Sequence, residues 1–250
     1  MSQTPTPLQA ARLDLAAACR LIAHFGWTDL LATHVSIRVP GRHDRYLINP
    51  LGLLYDEVTA SSILEVDLDG RVVAGDGEVN PAGIVIHGAI HAAVPEAAAV
   101  VHLHSREGVA VATQQDGLLP LTQMSLMVLG QLAYHDFHGV VLDEDERATL
   151  LAAMGDKSLL MLRNHGTLAV GRDMAEAFSR IWRLERACRF QLAAQSAGVP
   201  LQPLPDAVIE RTLQQAELIY GRQASFFPSG RREWAALLRL LDRQSPDYKI

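Results

Sequence analysis

The chain has 250 residues and a net charge of −6 with His counted neutral, enough length to bury a sizeable core. Apolar residues make up 49 % and charged residues 20 %, a globular balance, and an acidic chain without a Lys/Arg block argues against nucleic acid as the partner. No apolar run is long enough to span a bilayer, and "MSQTPTPLQAARLDL" carries no secretory signal. Cys19 and Cys188 lie in Ala/Leu-rich stretches and read as buried thiols of a reducing compartment. The expectation is a cytoplasmic protein that acts on a small molecule.

In chain order, "PLQAARLDLAAACRLIAHFGW" predicts a helix, with Leu15, Ala18, Cys19, Ile22 and Phe25 at helical spacing and Gly26 to end it. "HVSIRV" and "RYLINP" read as a hairpin around the "PGRHD" turn, and "SSILEVDLDGRVVAG" as a second hairpin around Asp69-Gly70. A helix from about Ala82 is stopped by Pro95. "AAAVVHLHS" is a buried strand and "REGVAVATQ" a short helix, followed by a loop-rich middle. "DEDERATLLAAMG" gives another helix. "SLLMLRNHGTLAVG" gives two short strands joined at Asn164-His165-Gly166. Asp173 then caps a long helix that Gly198 closes, and the remainder is helical around a "FFPSG" break. Strands interleaved with helices, and no linker, predict one α/β domain over residues 1–250.

The histidines carry the chemistry. His102 and His104 stand one residue apart on the strand, so they share a face about 7 Å apart along the chain. Alone, such a pair is more often hydrogen-bonded packing. His165 shifts that balance, because the Asn-His-Gly turn presents a third imidazole, and three neutral imidazoles with an open position make a divalent-metal site. His87 and His91 form a rival ligand pair four apart on a helix, but "HGAIH" lacks the Glu of a metalloprotease helix and reads more readily as helix-face or pocket-lining residues.

From about residue 10 to residue 198 the chain resembles the class II aldolase/adducin family. "HLHS" resembles its first two metal ligands, and "LRNHGTLAVGRDMAEAF" its third-ligand segment and the helix behind it. "FGWTDLLATHVSIRV", "INPLGLLYDEVTASSILEVDLDG" and "AYHDFHGVVLDEDER" resemble the adducin head more than the sugar-phosphate aldolases. The resemblance implies a three-layer α/β/α sandwich around a mainly antiparallel sheet, with residues 199–250 as added C-terminal helices. It also implies one divalent ion per chain on His102, His104 and His165, with Zn first and Mn, Co or Fe as alternatives. A homotetramer with sites near subunit interfaces follows from the same likeness.

The pattern departs from the aldolases at informative places. Gly83 stands where they carry a catalytic Glu, and Thr122, Gln123 and Met124 run through the position of their tyrosine proton donor. The phosphate cradle is replaced by His34-x-Ser36, Leu51-Gly52 and Asn80-Pro81. These changes point to a different anionic head group, such as a carboxylate, with His34, Ser36, Asn80, His87 and Gln123 as candidate substrate-binding residues. His34 equally fits as the plain start of an edge strand. Tyr134 and His135, in the "AYHDFH" cluster with His138, are the candidate acid–base pair, and Asp136 either holds His135 or sits on the surface. The amphipathic "GRREWAALLRLLDR" reads as a subunit-packing helix rather than a lid, and Phe178, Trp182 and Phe190 as core.

Three functions follow. The first is a metal-dependent lyase acting on a C–C bond beside a carbonyl or carboxylate, a decarboxylase or aldolase-type enzyme. The second is a non-haem Fe(II) oxygenase. The third is a non-catalytic, adducin-like scaffold.

Overall fold

The computed structural model describes residues 4–140, 145–221 and 230–250. Helix α1 (Pro7–His24) begins at a Thr6 capping box in which Thr6 and Gln9 satisfy each other's backbone N–H groups. Leu15, Ala18, Cys19 and Ile22 bury its inner face. Strands β1 (His34–Arg38) and β2 (Arg45–Ile48) pair antiparallel, as do β3 (Leu64–Asp67) and β4 (Val72–Ala74). The second hairpin turns at Gly70, whose φ of 82° only glycine holds cheaply. Helix α2 (Pro81–Ala93) starts with Asn80 as N-cap and Pro81 in its first turn. Strand β5 (Ala99–Leu103) and helix α3 (Arg106–Ala112) follow.

The expected loop-rich middle holds two further elements, α4 (Gln123–Leu129) and β6 (Leu132–His135). Seven and four residues are too few to declare a period. A capping box at Thr122 starts the first, and parallel pairing with β7 supports the second. Helix α5 (Asp145–Met154), strands β7 (Leu159–Leu162) and β8 (Gly166–Gly171) and helix α6 (Met174–Ser196) come next. Asp173 caps α6 by accepting from Glu176 N–H at 2.9 Å, and Gly198 follows its end at a φ of 65°. Helices α7 (Asp206–Tyr220) and α8 (Arg231–Gln244) and a 3-10 turn (Pro246–Lys249) complete the chain. The expected start of the α5 helix before residue 145, and the "FFPSG" break before Gly230, lie outside the described residues.

The strands form one eight-stranded sheet in the order β4-β3-β2-β1-β5-β8-β7-β6, antiparallel except between β6 and β7. β1 is therefore an interior strand, which removes the edge-strand alternative for His34. Side-chain alternation separates two cores. Val35, Val101, Leu103 and Ala169 pack with α1, α3 and α6 on one face. Val100, Leu160, Leu168 and Val170 pack with α2 and α5 on the other. The result is the expected three-layer α/β/α sandwich with a mainly antiparallel sheet.

Two expectations change. The apolar stripe of α8 docks on its own chain: Trp234 and Leu241 are buried against α1 and α6, and the Trp234 indole donates to Asp14 at 2.9 Å. Phe178 is core as expected, but Trp182 is only half-buried and Phe190, near the C-terminal end of α6, is exposed. Cys19 and Cys188 are both buried and unpaired. No helix among the described residues is long and apolar enough to cross a membrane.

Candidate metal centre

His102 is the fourth residue of β5 and points to the α2/α5 face with Val100. His104 lies just past the strand end, on the same side. His165 occupies the turn between β7 and β8, which pair antiparallel beside β5. The turn closes because Asn164 takes a left-handed φ of 58°, a conformation that Asn tolerates better than most residues. Gly166 is required for space: a Cβ there would run into the Leu103 carbonyl oxygen and come within 3.1 Å of the His104 ring. One ligand atom from each of the three histidines falls within 4.8 Å of the others. His102 is buried, while His104 and His165 are partly open to solvent.

The hydrogen bonds around the triad fix its chemistry. His102 Nδ1 meets the Thr167 carbonyl oxygen at 3.0 Å, and His104 Nδ1 meets the Asp29 carboxylate at 2.9 Å. Both partners accept only, so both Nδ1 atoms carry the proton. The two Nε2 atoms, left with lone pairs, then face each other at 3.0 Å. Opposed lone pairs at that distance need a proton or a cation between them. Burial is the main cause holding His102 well below the usual imidazole range and lowering His165 to about 4, with the neighbouring histidines adding to it. Neutral rings, with those of His102 and His104 fixed by an acceptor on the far nitrogen, are what a divalent cation requires. The donor set fits the ion that the sequence implies.

A second histidine group lies behind the triad. His34, opposite His102 in the β1/β5 ladder, sits with its ring centroid 4.9 Å from that of His102. Its Nδ1 contacts His87 Nε2 at 2.8 Å; His87 Nδ1 contacts Ser36 Oγ, which also reaches His91 Nε2 at 2.8 Å. His91 stacks on Tyr46. All four polar residues are buried, and desolvation lowers the histidines far below their ordinary range, His91 to about 3. A Cβ at Gly83 would stand 3.2 Å from the His34 ring, so that ring fills the room beside the glycine.

The remaining candidates divide. His135 joins the triad's side of the sheet: it shares a small pocket with His165, contacts Thr149 Oγ1 at 3.2 Å and lies against His138. Tyr134 points to the opposite face, where its hydroxyl accepts from Leu118 N–H at 3.0 Å and Arg163 lies over its ring. Asp136 is exposed and sits 3.5 Å from Arg163, not on His135. Gln123 is exposed on α4, which packs on α6 and α7, away from the triad. The Asn80 side chain accepts from Ala82 N–H at 3.0 Å as the cap of α2. Sequence reasoning also missed two carboxylates. Asp29 gives no local signal, since its partner His104 is distant along the chain. Glu185 did leave one, because it falls among the apolar positions Ile181, Leu184 and Cys188 on the buried stripe of α6. Burial pushes its carboxyl up to about 7.

Comparison with known proteins identifies the family. Residues 13–192 match the model of the Class II Aldolase and Adducin N-terminal domain, and the chain belongs to that family. A putative aldolase class 2 protein of Caulobacter vibrioides is 48 % identical over 95 % of this chain and 91 % of its own length. Alpha-adducin of Rattus norvegicus is 40 % identical over 92 % of this chain but only 33 % of the adducin. The solved L-fuculose 1-phosphate aldolase of Glaciozyma antarctica PI12 superposes with a TM-score of 0.82 at 27 % identity, covering 99 % of this chain and 96 % of the other.

Proposed function

We propose that the protein is a divalent-metal-dependent lyase that acts on a C–C bond next to a carbonyl or carboxylate. Its substrate is a small hydroxy acid, keto acid or sugar-like molecule, and its ion is Zn in the first instance. The observation that carries this reading is the pair of Nε2 lone pairs of His102 and His104 facing each other beside His165. When bound, the ion supplies a Lewis acid that draws electron density from the bond to be broken. Thr167 and Asp29 hold the rings of His102 and His104 in one tautomer. His34, buried against His102, closes the back of the site to water. His135, which lines a small pocket together with His165, holds or moves a proton in this reading.

Decarboxylation fits better than retro-aldol cleavage. The retro-aldol step needs a base for a hydroxyl proton, and Gly83 offers none where the resembling aldolases carry Glu, with His34 filling the space. Supplying the Zn-, Mn-, Co- and Fe-loaded protein with hydroxy acids, keto acids and sugar phosphates tests this. Release of CO₂ from an acid supports it, aldehyde release from a sugar phosphate selects the aldolase branch, and inertness to all refutes the lyase. Oxygen uptake confined to Fe(II) would identify the oxygenase. A second reading, the adducin-like scaffold, is favoured by the 40 % identity to alpha-adducin and predicts an inert panel. We further propose a cytoplasmic homotetramer with sites near subunit interfaces, which light scattering and cross-linking would measure.

A further inference from the structure

The carboxylate of Glu185 lies in no reading of the chemistry so far, yet it is buried at the foot of the metal centre. It reaches from α6 through the α3/α6 side of the sheet, where Ser105 Oγ–H donates to one of its oxygens and Thr167 Oγ1–H donates to the other at 2.5 Å. Each of these hydroxyls belongs to a residue that bears on the histidines. Ser105 follows His104 directly and also caps α3, accepting from Gly108 N–H at 2.9 Å. Thr167 is two residues after His165, and its carbonyl oxygen is the acceptor that fixes His102. Gly108 makes the approach possible, since a Cβ there would come within 2.8 Å of the Glu185 carboxylate and 2.7 Å of Ser105 Oγ.

We propose that Glu185 is the positioning residue that sets the spacing of the three-histidine ligand set, by tying the end of β5 to the start of β8 through Ser105 and Thr167. A carboxylate suits this because it accepts at both oxygens, whereas an amide accepts at one only. Shifting either strand end by a fraction of an ångström misaligns lone pairs that must converge on one ion. Outer partners of metal ligands typically carry a 10–100-fold share of metal affinity. The inference rests on the metal reading above and deepens it.

The test uses the full chain, with Glu185→Gln, Glu185→Ala, Ser105→Ala and Thr167→Val beside the wild type. Zn(II) affinity is measured by chelator competition, Co(II) coordination by visible absorption, and the apoprotein's melting temperature as a control. The expected result is a 10–100-fold loss of Zn(II) affinity in Glu185→Ala, with an altered Co(II) band pattern. Glu185→Gln and the two hydroxyl variants should show smaller losses in the same direction. Glu185→Gln and Thr167→Val keep the packing and serve if Glu185→Ala does not fold. Wild-type Zn(II) affinity and Co(II) spectra in the folded variants, with only the apoprotein's melting temperature lowered, would leave Glu185 a fold residue and overturn the proposal alone. A wild type that binds neither ion overturns the metal reading and this inference with it.

Discussion

At the scale of single residues, the metal centre is a problem of where protons can sit. His104 Nδ1 is held by Asp29, a half-exposed carboxylate whose removal costs little packing. Asp29→Ala is therefore expected to leave apoprotein stability within about 0.5 kcal/mol while weakening Zn(II) binding roughly 10-fold or more, as urea titration and chelator competition would show. His102→Ala and His165→Ala should each abolish stoichiometric metal, read by plasma mass spectrometry on untagged protein. Gly83 and His34 form a steric pair, with the would-be Cβ 3.2 Å from the ring. Gly83→Glu is expected to destabilise the fold by about 1–3 kcal/mol through overpacking. Much of that loss should return in the double variant with His34→Ser, and additive losses in a double-mutant cycle would contradict the pairing.

At the scale of elements, the turn between β7 and β8 decides whether His165 reaches the other two ligands. Asn164 holds φ at 58°, so Asn164→Gly should be nearly neutral. Asn164→Val, β-branched in a left-handed conformation, should cost about 1–3 kcal/mol and lower metal affinity with it. Retained affinity in Asn164→Val would mean that the turn tolerates another path. Helix α6 depends on its ends in the ordinary way. Asp173→Ala removes the bond to Glu176 N–H and should cost about 1 kcal/mol without altering the Co(II) spectrum, since the cap lies at the end of β8 remote from the triad.

At the scale of the molecule, the protein buries many imidazoles in neutral form. His34, His87, His91, His102 and His165 all have folded values below the ordinary 6.5, with His165 at about 4 and His91 at about 3. Once unfolding exposes them they bind protons below pH 6.5, so the unfolded chain is favoured as pH falls. Each tenfold loss of proton affinity in the fold is worth about 1.4 kcal/mol. Glu185 works the other way, since its carboxyl protonates near 7 in the fold and near 4.5 when exposed, but one such group is outnumbered. Apoprotein stability should therefore be full above pH 6.5 and decline between pH 6.5 and 4. Melting curves across that window check it, and a flat profile would contradict the burial of these rings. Zn(II) at 100 times its Kd should raise stability by about 2.7 kcal/mol near pH 7, an increment that protons erode over the same window.

Much of this was legible in the sequence because it rests on local physics. Strand alternation placed His102 and His104 on one side, the Asn164-His165-Gly166 triplet marked a turn, and Asp173 and Gly198 bounded α6, each through interactions within a few residues. The sequence alone determined the β1/β2 and β3/β4 hairpins and the three histidines that converge. Tertiary structure decided what those histidines touch. Asp29 and Glu185 meet the site across distant parts of the chain, α4 and β6 were too short to show a period, and α8 laid its apolar stripe on its own α1 and α6. It also separated neighbours in sequence: Tyr134 and His135 differ by one residue, so the pleat sends them to opposite faces, and only His135 shares a side with the triad. Periodicity records the face a residue takes; which distant group waits on that face depends on how the layers pack.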